Sequence, residues 1–206
     1  MSTRAPPIAP SDLSPEQKNG YDSMSETAST VFKDKFVYKR EDGAFIGPFA
    51  AFCYTPAAGE AFFQVMKALA KIPGLPQYAR EVAILATGSH FKAAYEIYSH
   101  ERIAIGTELK QDQIDKIKHG EKPGDLQEIG NVAFDVTMEL LKKPGPLAEE
   151  KWKEAEKAFG REGAMALVHY VGYYAYTSLL LNGLDIQLPE GESIKNEGTK
   201  WKGTGS

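Results

Sequence analysis

Apolar residues along this chain recur at spacings of three and four rather than two, the periodicity of helices that bury one face. Phe62, Met66 and Leu69 share one such face, Ile129, Val132, Val136 and Leu140 another, and Met165, Val168, Gly172, Ala175 and Leu179 a third. No stretch alternates convincingly, so the pattern predicts an all-α protein of about eight helices. Helix punctuation supports the division. Ser14 followed by Pro15, Glu16 and Gln17 places a capping serine before a proline at the first helical position and a glutamine at the third. Pro73-Gly74-Leu75-Pro76 separates two helices, with Pro76 suited to the first turn of the second, and Gly120 and Pro144-Gly145-Pro146 close others. Phe62, Met66, Leu69 and Lys71 before Pro73-Gly74 recur 72 positions later as Phe134, Met138, Leu141 and Lys143 beside Pro144-Gly145. An old duplication of a helix pair and coincidence both fit that recurrence.

The 206 residues suffice for one domain with a single sizeable core, burying roughly 70% of the extended chain's surface. Residues 1–12 form a proline-rich arm expected to be flexible, 13–190 the structured domain, and 191–206 a flexible polar tail carrying Trp201. With 42% hydrophobic and 25% charged residues the composition is globular, and a net charge of -4 argues against a footprint on nucleic acid or an anionic membrane. The proline-rich start has no apolar leader. The most hydrophobic later stretch, Val168–Leu181, contains His169 and several tyrosines and falls short of the roughly 20 residues that span a bilayer. The expectation is an intracellular, cytoplasmic protein without nucleic-acid or membrane partners.

Cys53 is the only cysteine, which excludes an intramolecular disulfide, a Cys-x-x-Cys redox centre and a cysteine zinc cluster within one chain, and a lone cysteine reads as a small buried apolar residue. Any chemistry must come from carboxylates, histidines and hydroxyls. The unusual segment is Arg80-Glu81-Val82-Ala83-Ile84-Leu85, then a break expected at Gly88-Ser89, then His90 and Tyr95-Glu96-Ile97-Tyr98-Ser99-His100-Glu101. Glu96 and His100, four apart, share a helical face, and a turn near Gly88 folds Glu81 back against them. Two carboxyls and a histidine in an apolar setting make a proton-transfer site, although a Glu-His pair at this spacing is also an ordinary surface contact. Tyr98 and His90 are candidates for the pocket lining. His169 and Tyr173, with Tyr176, share a face that forms a pocket wall or a subunit interface. Arg80 or Arg102 could hold a substrate carboxylate. The same ligand types raise a metal site, but His100-Glu101-Arg102-Ile103-Ala104 lacks the second histidine of a zinc-protease motif, so no metal is expected.

Arg80-Glu81-Val82-Ala83-Ile84-Leu85 followed by Tyr95-Glu96 and His100 closely resembles the carboxymuconolactone decarboxylase family of the alkylhydroperoxidase D-like superfamily, with further matches at Gly47-Pro48-Phe49, Val171-Gly172-Tyr173-Tyr174 and Leu184–Pro189. The resemblance covers roughly residues 10–190. It implies an all-α, alkylhydroperoxidase D-like helical fold with a central active-site helical hairpin, and a symmetric homo-oligomer. In the family's peroxidase branch a Glu precedes Cys-x-x-Cys-x-x-x-His. Glu81 and His100 keep their places here, while Ala93 and Glu96 stand at the cysteine positions. Dithiol chemistry is thereby removed. What remains resembles the cysteine-free branch, which implies a cofactor-free decarboxylase acting by acid/base catalysis on a small carboxylated lactone or aromatic-derived acid. In this reading His100 is the proton donor, Glu96 orients it, and Glu81 is a second acid/base or a substrate partner. A non-catalytic small-molecule-binding oligomer and a peroxide- or oxygen-linked oxidoreductase are the alternatives on the same fold.

Overall fold

A computed structural model describes residues 4–195. Eight helices are present among them: α1 (Pro15–Val31), α2 (Pro48–Tyr54), α3 (Pro56–Leu69), α4 (Gln77–Phe91), α5 (Ala94–Ala104), α6 (Gln111–Lys118), α7 (Glu128–Lys142) and α8 (Glu149–Gly183). A short 3-10 turn precedes α1. α8 is broken at Gly160, whose φ of 70° and ψ of 170° are not helical. The described residues contain no sheet; an isolated antiparallel bridge joins Lys39 and Phe45. The expected capping box at Ser14 is present: its hydroxyl accepts from the Gln17 amide and the Gln17 side chain accepts from the Ser14 amide. Pro76 stands one position earlier than expected, as the extended N-cap of α4, because the residue before a helix's first turn suits a proline's fixed φ equally well.

Two apolar clusters build the interior. One is assembled from α4, α6, α7 and part of α8, with Val82, Leu85, Ile114, Phe134, Val136 and Leu167 among its buried members. The other draws on α1, α2, α3, α5 and the end of α8, and is rich in rings: Phe45, Phe49, Phe52, Phe63, Tyr95 and Tyr98. α4 packs on α5, α6, α7 and α8, so its residues from Glu81 to Gly88 are all buried. A helix apolar around most of its circumference belongs in such a place. The 72-residue recurrence falls on α3 and α7, each of which leads through a Pro-Gly connection into a longer helix.

The structure adds three details to the sequence reading. The face carrying Met165, Val168 and Leu179 points outward, with those side chains 49%, 38% and 58% exposed, while Ala164, Leu167, Tyr170, Val171 and Leu181 turn inward. Periodicity identifies an apolar face but not what covers it. The proline-rich arm is packed over residues 4–12: Arg4 donates to the Gly183 carbonyl at 2.8 Å, the Tyr54 hydroxyl donates to the Pro6 carbonyl at 2.8 Å, and Ala5 is buried. At the start of the tail Ile194 is fully buried; residues 196–206 lie outside the described region.

The α3–α4 connection is held by contact of backbone on backbone. A Cβ on Gly163 of α8 would stand 2.7 Å from the Gly74 carbonyl carbon, and Gly74 itself has a φ of +89°. No flexible side chain lies there to yield. Gly163→Ala is therefore expected to cost about 1–3 kcal/mol, read as a lowered urea midpoint at unchanged slope; an unchanged midpoint would show that the connection moves freely.

Candidate active site

The break expected at Gly88-Ser89 does not occur there. α4 continues to Phe91, and the chain reverses at Lys92, in the left-handed region at φ 52°, and Ala93, whose amide donates to the Gly88 carbonyl at 2.9 Å. Gly88 has a different task. A Cβ on it would stand 3.3 Å from Glu96 Cγ and 3.4 Å from Ile97 Cγ1, so the missing side chain eases the close packing of α5 along α4. That approach sets Glu81 of α4 against Glu96 and His100 of α5.

All three groups are buried. His100 Nδ1 lies 2.7 Å from Glu81 Oε2 in a hydrogen bond, and Nε2 lies 3.2 Å from Glu96 Oε1. The second contact is close but misaligned, and Glu96 Oε1 is left with no hydrogen-bond partner. Burial opposes a charge on His100, but the charge and hydrogen bond of Glu81, reinforced by Glu96, outweigh it and raise its pKa. Burial is also the largest influence on Glu96; His100 pulls the other way, Glu81 adds to the push, and the carboxyl is raised to about 7. The arrangement thus favours the charged form of the imidazole that hydrogen-bonds Glu81, beside a second carboxyl, Glu96, poised between its two forms near neutral pH. Glu81, not Glu96, makes the aligned hydrogen bond to the imidazole.

Glu96 and His100, but not Glu81, line a cavity of about 40 Å³, room for about two or three waters. Its wall is mostly rings: Phe32, Phe36, Phe49, Phe62, Phe63, Tyr95 and Tyr173. Tyr174 meets His100 edge to face at 4.9 Å between centroids and stacks on Tyr170. Sequence reasoning passed over Tyr174 because it weighed the face of Tyr173 and Tyr176; the inward repeat Tyr170, Tyr174, Thr177, Leu181 was the available signal. A larger groove of about 630 Å³ lies between the arm, residues 37–50 and residues 186–190, and holds none of the three groups. Its lining mixes Lys39 and Arg40 with Glu41 and Asp42 and converges on no chemistry.

The other expected pocket residues divide. Tyr173 lines the cavity, stacked on Phe62 at 4.5 Å, its hydroxyl donating to the Phe62 carbonyl. Tyr98 does not line it, whereas Tyr95 does. The Tyr98 oxygen accepts from the Val37 amide at 3.1 Å, and the Tyr95 hydroxyl donates to the Val37 carbonyl at 2.8 Å, so the two rings of α5 together clamp the loop bearing Phe36. Gly47 permits this: its φ is +65°, and a Cβ there would overlap the Tyr95 ring at 2.3 Å. Arg102 is taken up by Glu101 and Glu192, each at 2.8 Å, and lies over the Tyr98 ring. His90 is an exposed residue in the last turn of α4, against Phe91. His169 is exposed on α8. Cys53 is buried as expected, and burial pushes its thiol up to about 11. Among the described residues no cluster of three His, Cys, Asp or Glu side chains is arranged to hold a metal ion, and no helix is long and apolar enough to cross a membrane.

No protein-family model matches the chain, and no curated protein is similar to it at a significant level. Solved structures do match. The debrominase Bmp8 in complex with 2,3,4-tribromopyrrole superposes with a TM-score of 0.68 at 15% sequence identity, covering 92% of this chain and 94% of that one. An uncharacterised peroxidase-related protein from Ralstonia eutropha, described as an alkylhydroperoxidase AhpD core, superposes with a TM-score of 0.69 at 17% identity, covering 91% and 92%. The chain has the alkylhydroperoxidase D-like helical fold, as the resemblance implied.

The raised Glu96 pKa has a signed consequence for stability. The folded state holds a proton that the unfolded chain releases near 4.5, so stability is lost as pH rises from there through about 7. His100, also raised, adds a loss above its ordinary 6.5. Chemical denaturation across pH 5–8 is expected to show wild type losing up to about 3 kcal/mol more than Glu96→Gln; parallel curves would show that Glu96 is ionised throughout.

Proposed function

We propose that the protein is a cofactor-free acid/base enzyme, a carboxy-lyase acting on a small carboxylated lactone or related aromatic-derived acid. The observation that carries the reading is the buried Glu96 oxygen without a hydrogen-bond partner, beside a histidine held charged by Glu81 and facing an aromatic cavity. A substrate carboxylate laid against such a wall loses its hydration, which favours departure as CO2. The carbon–carbon bond breaks, its electron pair passes into the conjugated carbonyl, and the neutral form of Glu96 donates a hydrogen bond to the developing enolate oxygen. His100 then delivers the Nε2 proton to carbon and regains one from solvent, so one proton is consumed for each CO2 released. Glu81 stabilises the imidazolium before transfer and holds the ring in place after it. The fold neighbours, one named as a debrominase and one as peroxidase-related, are compatible with catalysis on this scaffold, and the first binds a small aromatic heterocycle. A thiol route has little support, since the only cysteine is buried with its pKa raised.

The working form in this proposal is a homo-oligomer built on α8. From Gly163 to Gly183 the helix has no Asp, Glu, Lys or Arg, yet Met165, Val168, Tyr176 and Leu179 are exposed along it. Gly172 lies midway between Met165 and Leu179, with open space where its Cβ would be. An antiparallel copy crossing there matches apolar to apolar and brings no like charges together.

Turnover of 4-carboxymuconolactone and related acids, followed as CO2 release with metal chelated, is expected to fall by about 10²–10⁴-fold in His100→Ala. Glu96→Gln is expected to reduce the rate and remove the part of its decline near pH 7 that comes from Glu96 ionisation, leaving the decline that follows loss of the His100 proton, while Cys53→Ser leaves turnover unchanged. Equal rates in wild type and His100→Ala would sink the acid/base reading. For the oligomer, sedimentation velocity should show Leu179→Glu as a folded monomer; an unaltered sedimentation coefficient excludes the α8 face.

A further inference from the structure

The end of α5 that carries His100 is gripped from outside the hairpin by charged side chains that the proton-transfer scheme does not use. Glu101 and Lys118 are both fully buried, 3.7 Å apart. Between them they hold both backbone polar groups of one residue beyond α8: the Lys195 amide donates to Glu101 Oε1 at 2.8 Å, and Lys118 Nζ donates to the Lys195 carbonyl. Arg102 donates to the Glu192 carboxylate at 2.8 Å and to the Ser193 carbonyl at 3.1 Å. Ile194, between these anchors, is fully buried in the ring-rich cluster that also contains Tyr98 and Ile103 of α5. Lys118 ends α6, which is tied to α4 by the Ser89 hydroxyl donating to the Lys118 carbonyl at 2.9 Å.

Burying Glu101 and Lys118 loses more hydration than a pair of apolar side chains in the same space would, so stability alone does not account for them. What they add is position. α5 is 11 residues long, a length at which a helix end frays unless tertiary contacts hold it, and His100 stands close to that end. Its hydrogen bond of 2.7 Å to Glu81 tolerates little drift. We propose that residues 192–195, gripped by Glu101, Arg102 and Lys118, are a positioning element that keeps the His100 ring aligned on Glu81. Its part in turnover rests on the acid/base reading, which it deepens by naming what holds the proton donor in register. The groups that face His100 are Glu81 and Arg80 of α4, Glu96 of its own helix and Tyr174 of α8. Residues 192–195 supply none of them, so a neutral change in that segment reaches the imidazole through geometry.

Ile194→Gly in the full chain removes a buried side chain and no charge. The imidazole signals of His100, assigned by their absence in His100→Ala, are followed by NMR across pH without substrate. Glu81 favours the charged ring, so loosening its hydrogen bond is expected to lower the His100 midpoint by about one pH unit. In turnover kcat is expected to fall about tenfold or more with KM within about twofold, and Ile194→Val is expected to keep both readouts at wild-type values. A purely structural role lowers the urea midpoint and leaves the His100 titration where it was; that result in a folded variant overturns the proposal, as does an equal shift in Ile194→Val. Ile194→Ala replaces Ile194→Gly should the latter not fold, and unfolding of both overturns the proposal by making the segment part of the core. An unchanged kcat in a variant whose midpoint has moved overturns it wherever His100→Ala is inactive. Failure of the acid/base reading shows separately, as turnover indifferent to His100→Ala while the His100 midpoint still moves in Ile194→Gly.

Discussion

The contact on which the rest depends is the 2.7 Å hydrogen bond between Glu81 and His100. It joins α4, whose neighbours form one apolar cluster, to α5, whose neighbours form the other, so the charged groups lie in the seam between two hydrophobic bodies. Such a pair costs more in lost hydration than a well-packed apolar pair of equal size. Its position is therefore poorly explained by stability alone. Gly88 spares Glu96 and Ile97 the pressure of a side chain at 3.3–3.4 Å, and the αL turn at Lys92 closes the hairpin at the length that brings position 100 back to position 81.

The two carboxyls of the site are chemically unlike because of where they stand relative to one ring. Glu81 is aligned with Nδ1 and satisfied. Glu96 sits 3.2 Å from Nε2 without alignment, one oxygen unpartnered, and burial holds its pKa near 7. Environments that push like groups apart are what assign distinct proton-transfer roles to them. The aromatic wall sharpens the difference, since it withholds the water that would otherwise bring Glu96 back towards an ordinary carboxylate.

Local signals in the sequence were enough for what is decided locally. The capping box at Ser14, the helical periods, the Pro-Gly connections and the shared face of Glu96 and His100 all depend on neighbours within a few residues. Contacts across the fold were not legible in this way. Gly88 reads as a break and acts as a close-packing site, because the atoms that need its missing side chain belong to Glu96 and Ile97 in the next helix. Tyr95 and Tyr98 exchanged their expected places, since the Val37 backbone, some sixty residues upstream, binds both. The outward face of α8 carries the same apolar pattern as a buried one, and only the three-dimensional structure shows that it lacks a cover.

Rigidity and pliancy are distributed unevenly around the site. The segment after α8 returns across the end of α5: Arg102 holds Glu192 and the Ser193 carbonyl, the Lys195 amide donates to Glu101 at 2.8 Å, Lys118 donates to the Lys195 carbonyl, and Ile194 is fully buried beneath. Glu101 and Arg102 directly follow His100, so this strap fixes the turn of helix that carries the imidazole. The opposite rim, Phe62 and Met66 of α3 with Tyr173 of α8, has no comparable polar ties beyond the single Tyr173 bond to the Phe62 carbonyl and is partly exposed. The proposed proton transfer demands that donor and orienting carboxylate stay aligned to a fraction of an ångström, whereas entry of the proposed substrate into a cavity of about 40 Å³ demands that some wall give way. The fold meets both demands by anchoring α5 through its polar neighbours and leaving the rim to packing alone.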